Sequence, residues 1–152
     1  MIRRLPLRLY RQAEIDAYIK AEANFRICPK LTTLRLKVIL TPSRTQMREI
    51  FRVLMGSRLH PRACGYCTEW LEIYGRLQKT RPDSRFFAVI ILPQTLLSME
   101  VIAHEAVHAA HRFSERVRHA KWPGKPEEKI AYPAGYITAA IADWLLNEGI
   151  KI

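Results

Sequence analysis

The chain contains His104-Glu105-Ala106-Val107-His108, an H-E-x-x-H pattern. On a helix, residues four apart lie on one face about 6 Å apart. Two imidazoles so placed can grip one Zn²⁺, with Glu105 beside the metal as general base on a bound water. A catalytic zinc of this kind takes three protein ligands and leaves the fourth position to water. Shuffling this composition would produce the pattern in roughly one chain in a hundred, so the flanks have to carry part of the argument. They are Val101, Ile102 and Val107, with Ala103, Ala106, Ala109 and Ala110 between. That sequence reads as a buried helix with polar residues on one side. Histidines buried there without partners would be costly, which favours a metal over an incidental pair.

A third ligand must come from elsewhere. His111 shares the helix face but sits about 10 Å along the axis from His104, too far to join the same ion. It is expected to be structural or to support the ligands. A metzincin would carry Gly at 111 and His at 114, where this chain has His111 and Ser114, so that class is excluded. The remaining candidates are His119, Glu115, Glu127 and Glu128. A carboxylate at the start of the next helix suits best, because the intervening loop lets the chain reverse.

The elements that must position these residues can be read in order. Residues 11–24 are rich in Ala, Glu, Gln and Lys, and Ile15, Tyr18 and Ile19 follow helical spacing, which predicts a helix. Residues 32–41 alternate apolar and basic residues and then turn apolar, as a strand with one covered face does. A helix over 44–56 buries Met47, Ile50, Phe51 and Leu54 and leaves Arg44, Arg48 and Arg52 on its other side. Residues 67–74 read as a second strand. Residues 85–92 form the strongest strand, apolar and rich in β-branched and aromatic residues. The H-E-x-x-H helix follows from Ser98, a suitable N-cap, to about residue 116. A last helix runs from about residue 126 to Asn147, kinked or divided by Pro133 and stopped by Gly149. Cys64-Gly-Tyr-Cys67 is half of a zinc ribbon without a second half, and ordinary cysteines at a loop-to-strand junction are the simpler reading.

The order H-E-x-x-H, a spacer of about twenty residues, then Glu128-Lys-Ile-Ala131 at a helix start resembles the gluzincin zinc peptidases, the thermolysin-like group. The resemblance makes Glu128 the third zinc ligand, with Glu127 as the fallback. It covers residues 32–148, with residues 1–31 as a basic, helical N-terminal extension, all in one domain. It is also similar to the short metallopeptidase-like proteins of phages and other mobile elements, in which Glu-x-x-Ala-Tyr follows the motif. The fold it implies is α+β: a small three- to four-stranded sheet, mixed or antiparallel, packed on the H-E-x-x-H helix. The implied activity is hydrolysis of peptide bonds in a peptide or protein substrate, with Zn²⁺ as cofactor. Many gluzincins carry an Asp after the Ala to orient a zinc-bound histidine. Tyr132 stands there in this chain and supplies no negative charge. His119, Tyr132 and Tyr136 are candidates to stabilise the oxyanion.

Charge adds a partner question. The 152 residues carry a net charge of +11, unevenly spread. Residues 1–62 hold 14 Lys and Arg against 4 Asp and Glu, whereas residues 63–152 hold 11 against 10. A basic half of this kind fits nucleic acid or an acidic protein surface. A second reading therefore has the fold as a non-catalytic scaffold, or as a protease recruited to DNA, that binds through residues 1–62. No apolar run is long enough for a membrane span. The N-terminus does not read as a signal peptide, and three cysteines, an odd number, argue against a disulfide framework. A cytoplasmic protein with reduced thiols is expected.

Overall fold

The computed structural model describes residues 12–55, 58–68, 85–117 and 125–152. The chain runs α1 (Gln12–Asp16), β1 (Ala21–Arg26), β2 (Arg35–Thr41), α2 (Arg44–Met55), β3 (Tyr66–Thr68) and β4 (Phe86–Pro93). A 3-10 turn at Gln94–Leu96 then leads into α3 (Met99–Arg116) and α4 (Glu128–Asn147). No helix among the described residues is long and apolar enough to cross a membrane.

The four strands form one mixed sheet in the order β1-β2-β4-β3. β2 and β4 run parallel at its centre, and β1 and β3 flank them antiparallel. Central strands are covered on both faces, which explains why every residue of β4 is buried. Strand periodicity sorts the core into two layers. Leu36, Val38, Leu40, Ala88, Ile90 and Leu92 face α3 and α4, whose Ile102, Ala106, Ala109, Phe113, Ile137, Ile141 and Leu145 join the same cluster. Ile39, Phe86, Val89 and Ile91 face the other way, onto Ile15 of α1 and Met47, Ile50 and Leu54 of α2. The register slips between Arg35 and Leu36, so that Phe87 is the extra residue of a bulge. Its ring packs edge-on against Phe113 of α3, with centroids 5.3 Å apart.

The expected α+β architecture is present, with four strands in a mixed sheet. The N-terminal helix is corrected. The helix is seen at residues 12–16, and residues 21–24, expected to be helical, belong to β1, which runs from Ala21 to Arg26. Ala, Glu and Lys favour a helix only weakly, and tertiary context overrides that preference. Pairing with β2 satisfies a row of backbone groups that would otherwise form a bare sheet edge. It also turns Ala21, Ala23 and Phe25 inward in alternation, and Phe25 meets Trp144 of α4 edge-on at 6.1 Å. The second expected strand is seen as residues 66–68, and residues 69–74 lie outside the described part. Pro133 does not divide α4, which is continuous across it. Gly149 takes a left-handed φ of 74° after the helix, and Ile150 N–H bonds back to the Leu145 carbonyl at 2.9 Å.

Ser98 caps α3 as expected, its hydroxyl accepting from Val101 N–H at 3.1 Å. The cap fixes where the helix starts, and Ile102, Ala106, Ala109 and Phe113 fix which face it buries. Phe113→Ala should therefore cost about 3–5 kcal/mol of unfolding free energy, the usual range for emptying a buried aromatic site. Urea denaturation followed by circular dichroism measures it. A cost below about 1 kcal/mol would mean that Phe113 does not anchor the helix.

Candidate active site

α3 carries the H-E-x-x-H residues on its middle turns. Once Ile102, Ala106 and Ala109 pack inward, helical geometry places His104 and His108 at the exposed edge and turns Glu105 under it. The two Nε2 atoms are 3.2 Å apart. Two nitrogens each about 2.05 Å from a tetrahedral zinc stand roughly 3.3 Å apart, so the pair already has the spacing of two ligands on one ion. At this distance one ring nitrogen can donate to the other, with the roles set by the tautomers. His108 is held below the usual histidine range, first by burial and then by the charges of His104, Arg112 and His111. Its neutral form, the form that binds metal, is thereby favoured.

Glu105 is only 6% exposed. Burial raises its carboxyl above the ordinary carboxylate range, and the charge of His104 opposes part of that rise. Gly65, just before β3, makes room for it. A Cβ at that position would stand 2.9 Å from Glu105 Cγ, 3.2 Å from its Oε1 and 3.2 Å from Leu92 Cδ2. Cys67 lies opposite Ile90 in the β3–β4 register, which turns it to the α3 side of the sheet. Its thiol is pushed up to about 12, first by burial and then by Glu105. Arg112 opposes this through its charge and a hydrogen bond to the thiol. Cys67 is therefore a neutral S–H at physiological pH in the metal-free protein, which makes it a poor nucleophile.

These groups face a cleft of about 760 Å³ between α3 and residues 59–67. The loop wall is tied to α2. Arg48 donates to the Pro61 carbonyl at 2.6 Å, and Arg44 Nη2 donates to Cys64 Sγ at 3.6 Å. Within the loop, Arg62 N–H donates to His60 Nδ1 at 3.2 Å.

The structure thus brings His104, Glu105 and His108 together on one cleft. Glu128 and Glu127 are exposed at the start of α4 and do not line it. Among the described residues, no group of three or more His, Cys, Asp or Glu side chains is arranged to hold a metal ion. His111 is exposed on the histidine side of α3. Tyr132 is exposed, Tyr136 packs against the core, and neither lines the cleft. His119 lies outside the described residues. Cys28 is buried in the main core and is not a partner of the Cys64–Cys67 pair. Sequence reasoning missed Gly65, Cys67 and Arg112 as parts of the site. Arg112 carried a usable signal, since it continues the i, i+4 row of His104 and His108. Gly65 and Cys67 carried none, because their approach to Glu105 depends on how β3 lies against α3. Comparison with protein-family models, curated proteins and solved structures finds no match for this chain.

Two measurements check this geometry. A buried carboxyl with a raised pKa stabilises the fold below its unfolded pKa, and that contribution is lost as pH rises through the folded value. Gln at the same place titrates nowhere. In chelator-treated protein, the melting temperature of Glu105→Gln minus that of wild type should therefore increase as pH rises above the ordinary carboxylate range; a flat difference would show that Glu105 is solvated. Gly65→Ala should cost about 1–3 kcal/mol through overpacking, and Glu105→Ala in the same chain should recover part of it. Strictly additive costs would place the two residues out of contact.

Proposed function

We propose that the chain is a zinc-dependent metallopeptidase that hydrolyses peptide bonds in this cleft, with Glu105 as general base. The observation that carries the reading is the buried carboxyl of Glu105 directly behind two exposed imidazoles whose nitrogens already stand 3.2 Å apart. The gluzincin resemblance supports the same assignment; it names Glu128 as the further ligand, but Glu128 does not line the cleft, so the described residues of this cleft supply two of the three protein ligands. A Zn²⁺ held there would supply Lewis-acid polarisation and make water a stronger acid.

The chain's own residues do the rest. Water oxygen adds to the substrate carbonyl carbon while Glu105 takes the water proton. The carboxyl then delivers that proton to the amide nitrogen as the C–N bond breaks. The buried setting helps both halves, because a carboxylate raised by burial is a stronger base and its acid remains close to the leaving nitrogen. The neutral state favoured at His108 preserves the lone pair that a metal needs. Gly65 keeps the loop wall close to Glu105 without a side chain between them.

The second reading, a non-catalytic mobile-element protein that engages nucleic acid or an acidic host protein, draws on the exposed arginines of α2 and the following loop. It gives Glu105 no task, since binding through a basic surface needs no buried carboxyl beside a histidine pair.

The two readings part at Glu105→Gln. Wild-type protein should retain about one zinc per chain by metal analysis, and His104→Ala with His108→Ala should abolish it. Glu105→Gln should keep the metal yet lose about 10²–10⁴-fold of its peptide-hydrolysing activity, the usual contribution of a general base. Full activity in Glu105→Gln, or zinc retained by the double histidine variant, would overturn the proposal.

A further inference from the structure

The side of the sheet away from the cleft carries charge that the histidine site does not use. Between Glu22 and Glu49 the chain has six Lys and Arg residues and no Asp or Glu. Two of the six, Arg26 of β1 and Arg35 of β2, are directly opposite each other in the antiparallel register. Cβ atoms so placed stand about 5 Å apart, and like charges there repel. The alternation that turns Leu36, Val38 and Leu40 toward α3 and α4 turns Arg35 and Lys37 to the other face, with Glu22, Asn24 and Arg26 beside them. α2 covers that face over Ile39, Val89 and Ile91. It leaves the β1 side open, where Glu22, Asn24 and Arg26 are exposed and Arg35 is partly buried.

The neighbouring cations are occupied. Lys37 pairs with Glu22 at 3.6 Å and Arg52 with Glu49 at 3.0 Å, while Arg44 and Arg48 hold the loop that walls the cleft. Among the described residues no carboxylate pairs with Arg26 or Arg35. Two unneutralised guanidiniums therefore stand side by side on an open sheet face. Each presents a planar fork that matches the oxygens of a phosphate.

We propose that this open face binds the phosphate backbone of duplex nucleic acid, with Arg26 and Arg35 as the contacting pair. Charge complementarity selects the occupant. A protein partner needs an apolar centre to its interface. The strand positions on this face, Glu22, Asn24, Arg26, Arg35 and Lys37, offer none. A single strand is held largely by bases stacked on aromatic rings, and none of these five positions is aromatic. A duplex is bound through its dense phosphate charge alone, which needs neither. β1 and β3 are the two edges of the sheet, three strand spacings or about 14 Å apart, and the face lies on the opposite side of the sheet from α3. Binding there does not use the histidine cleft, so the inference stands whether or not the chain hydrolyses peptides.

The test titrates a fluorescein-labelled DNA duplex of mixed sequence, by anisotropy, against the full chain over a series of salt concentrations. Arg26→Gln with Arg35→Gln should weaken binding about tenfold at low salt. It should also make the plot of log affinity against log salt shallower by about two, one for each lost phosphate contact. Each single Gln variant should give about half of that change, so the result does not hang on the double variant folding. Arg26→Lys with Arg35→Lys keeps both charges and should keep the slope. Lys125→Gln with Lys151→Gln removes the same net charge from exposed positions flanking α4 and should alter neither affinity nor slope by more than a fraction of this. Melting curves confirm that each variant is folded. A single strand of the same sequence and labelled polyglutamate should both bind less tightly than the duplex. Absence of duplex binding at low salt, a wild-type slope in the Gln variants of Arg26 and Arg35, or an equal loss in the lysine pair would overturn the inference. Tighter binding of the single strand would replace the duplex by a stacked ligand, and tighter binding of polyglutamate would assign the face to an acidic protein; either result also overturns it.

Discussion

The organising constraint is a carboxyl held out of water. Glu105 projects from α3 into the space between the helix and the strand edge, where desolvation penalises its charge. A polar group of that kind is tolerated only if its neighbours leave room and supply compensation. Gly65 leaves the room, because any side chain there would press on Glu105. The His104 charge supplies part of the compensation. Helical geometry does the rest. With Glu105 and Ala106 turned inward, His104 and His108 must emerge together at the rim, where they can meet a solute. Burial of one residue thus dictates exposure of the other two.

That arrangement is only as firm as the sheet beneath it. β4 is buried along its whole length and offers one face to α3 and α4 and the other to α2. The small residues Ala106, Ala109 and Ala110 are fully buried. They let α3 come close to its neighbours, while Phe113 and Phe87 fill the space at the far end of the helix. β3 is short, with three described residues, yet its register decides the chemistry of the second wall. Tyr66 goes to the α2 face, where Phe51 holds it, and Cys67 goes to the α3 face, where it meets Glu105 and Arg112. A slip of one residue would exchange them.

The electrostatics of the cleft follow from the same two walls. α3 carries both signs in sequence, and α2 with the following loop carries mostly arginine. Arg44 and Arg48 also tie the loop to α2 through Cys64 and the Pro61 carbonyl, so these cations shape the wall as well as charge it. The uneven charge noted along the chain therefore becomes local: part of the basic N-terminal half is folded against the rim of the histidine site.

Much of this was legible in the residues themselves. Helical spacing and a Ser98 cap located α3, and a fixed four-residue step placed His104 and His108 side by side whatever the rest of the chain does. The unbroken apolar run from Phe86 announced a strand, and the sheet order places it at the centre, where a strand covered on both faces needs no polar side. Residues 21–24 were misread because their composition favours a helix weakly, while the β2 residues they pair with lie 13 to 19 positions further on. Gly65 and Cys67 were not legible for a related reason. Their roles are contacts between segments about forty residues apart, and no local period encodes how closely β3 approaches α3. Spacing within one helix is set by backbone geometry and can be read from sequence. Contact between two elements is set by packing, and only the tertiary structure decides it.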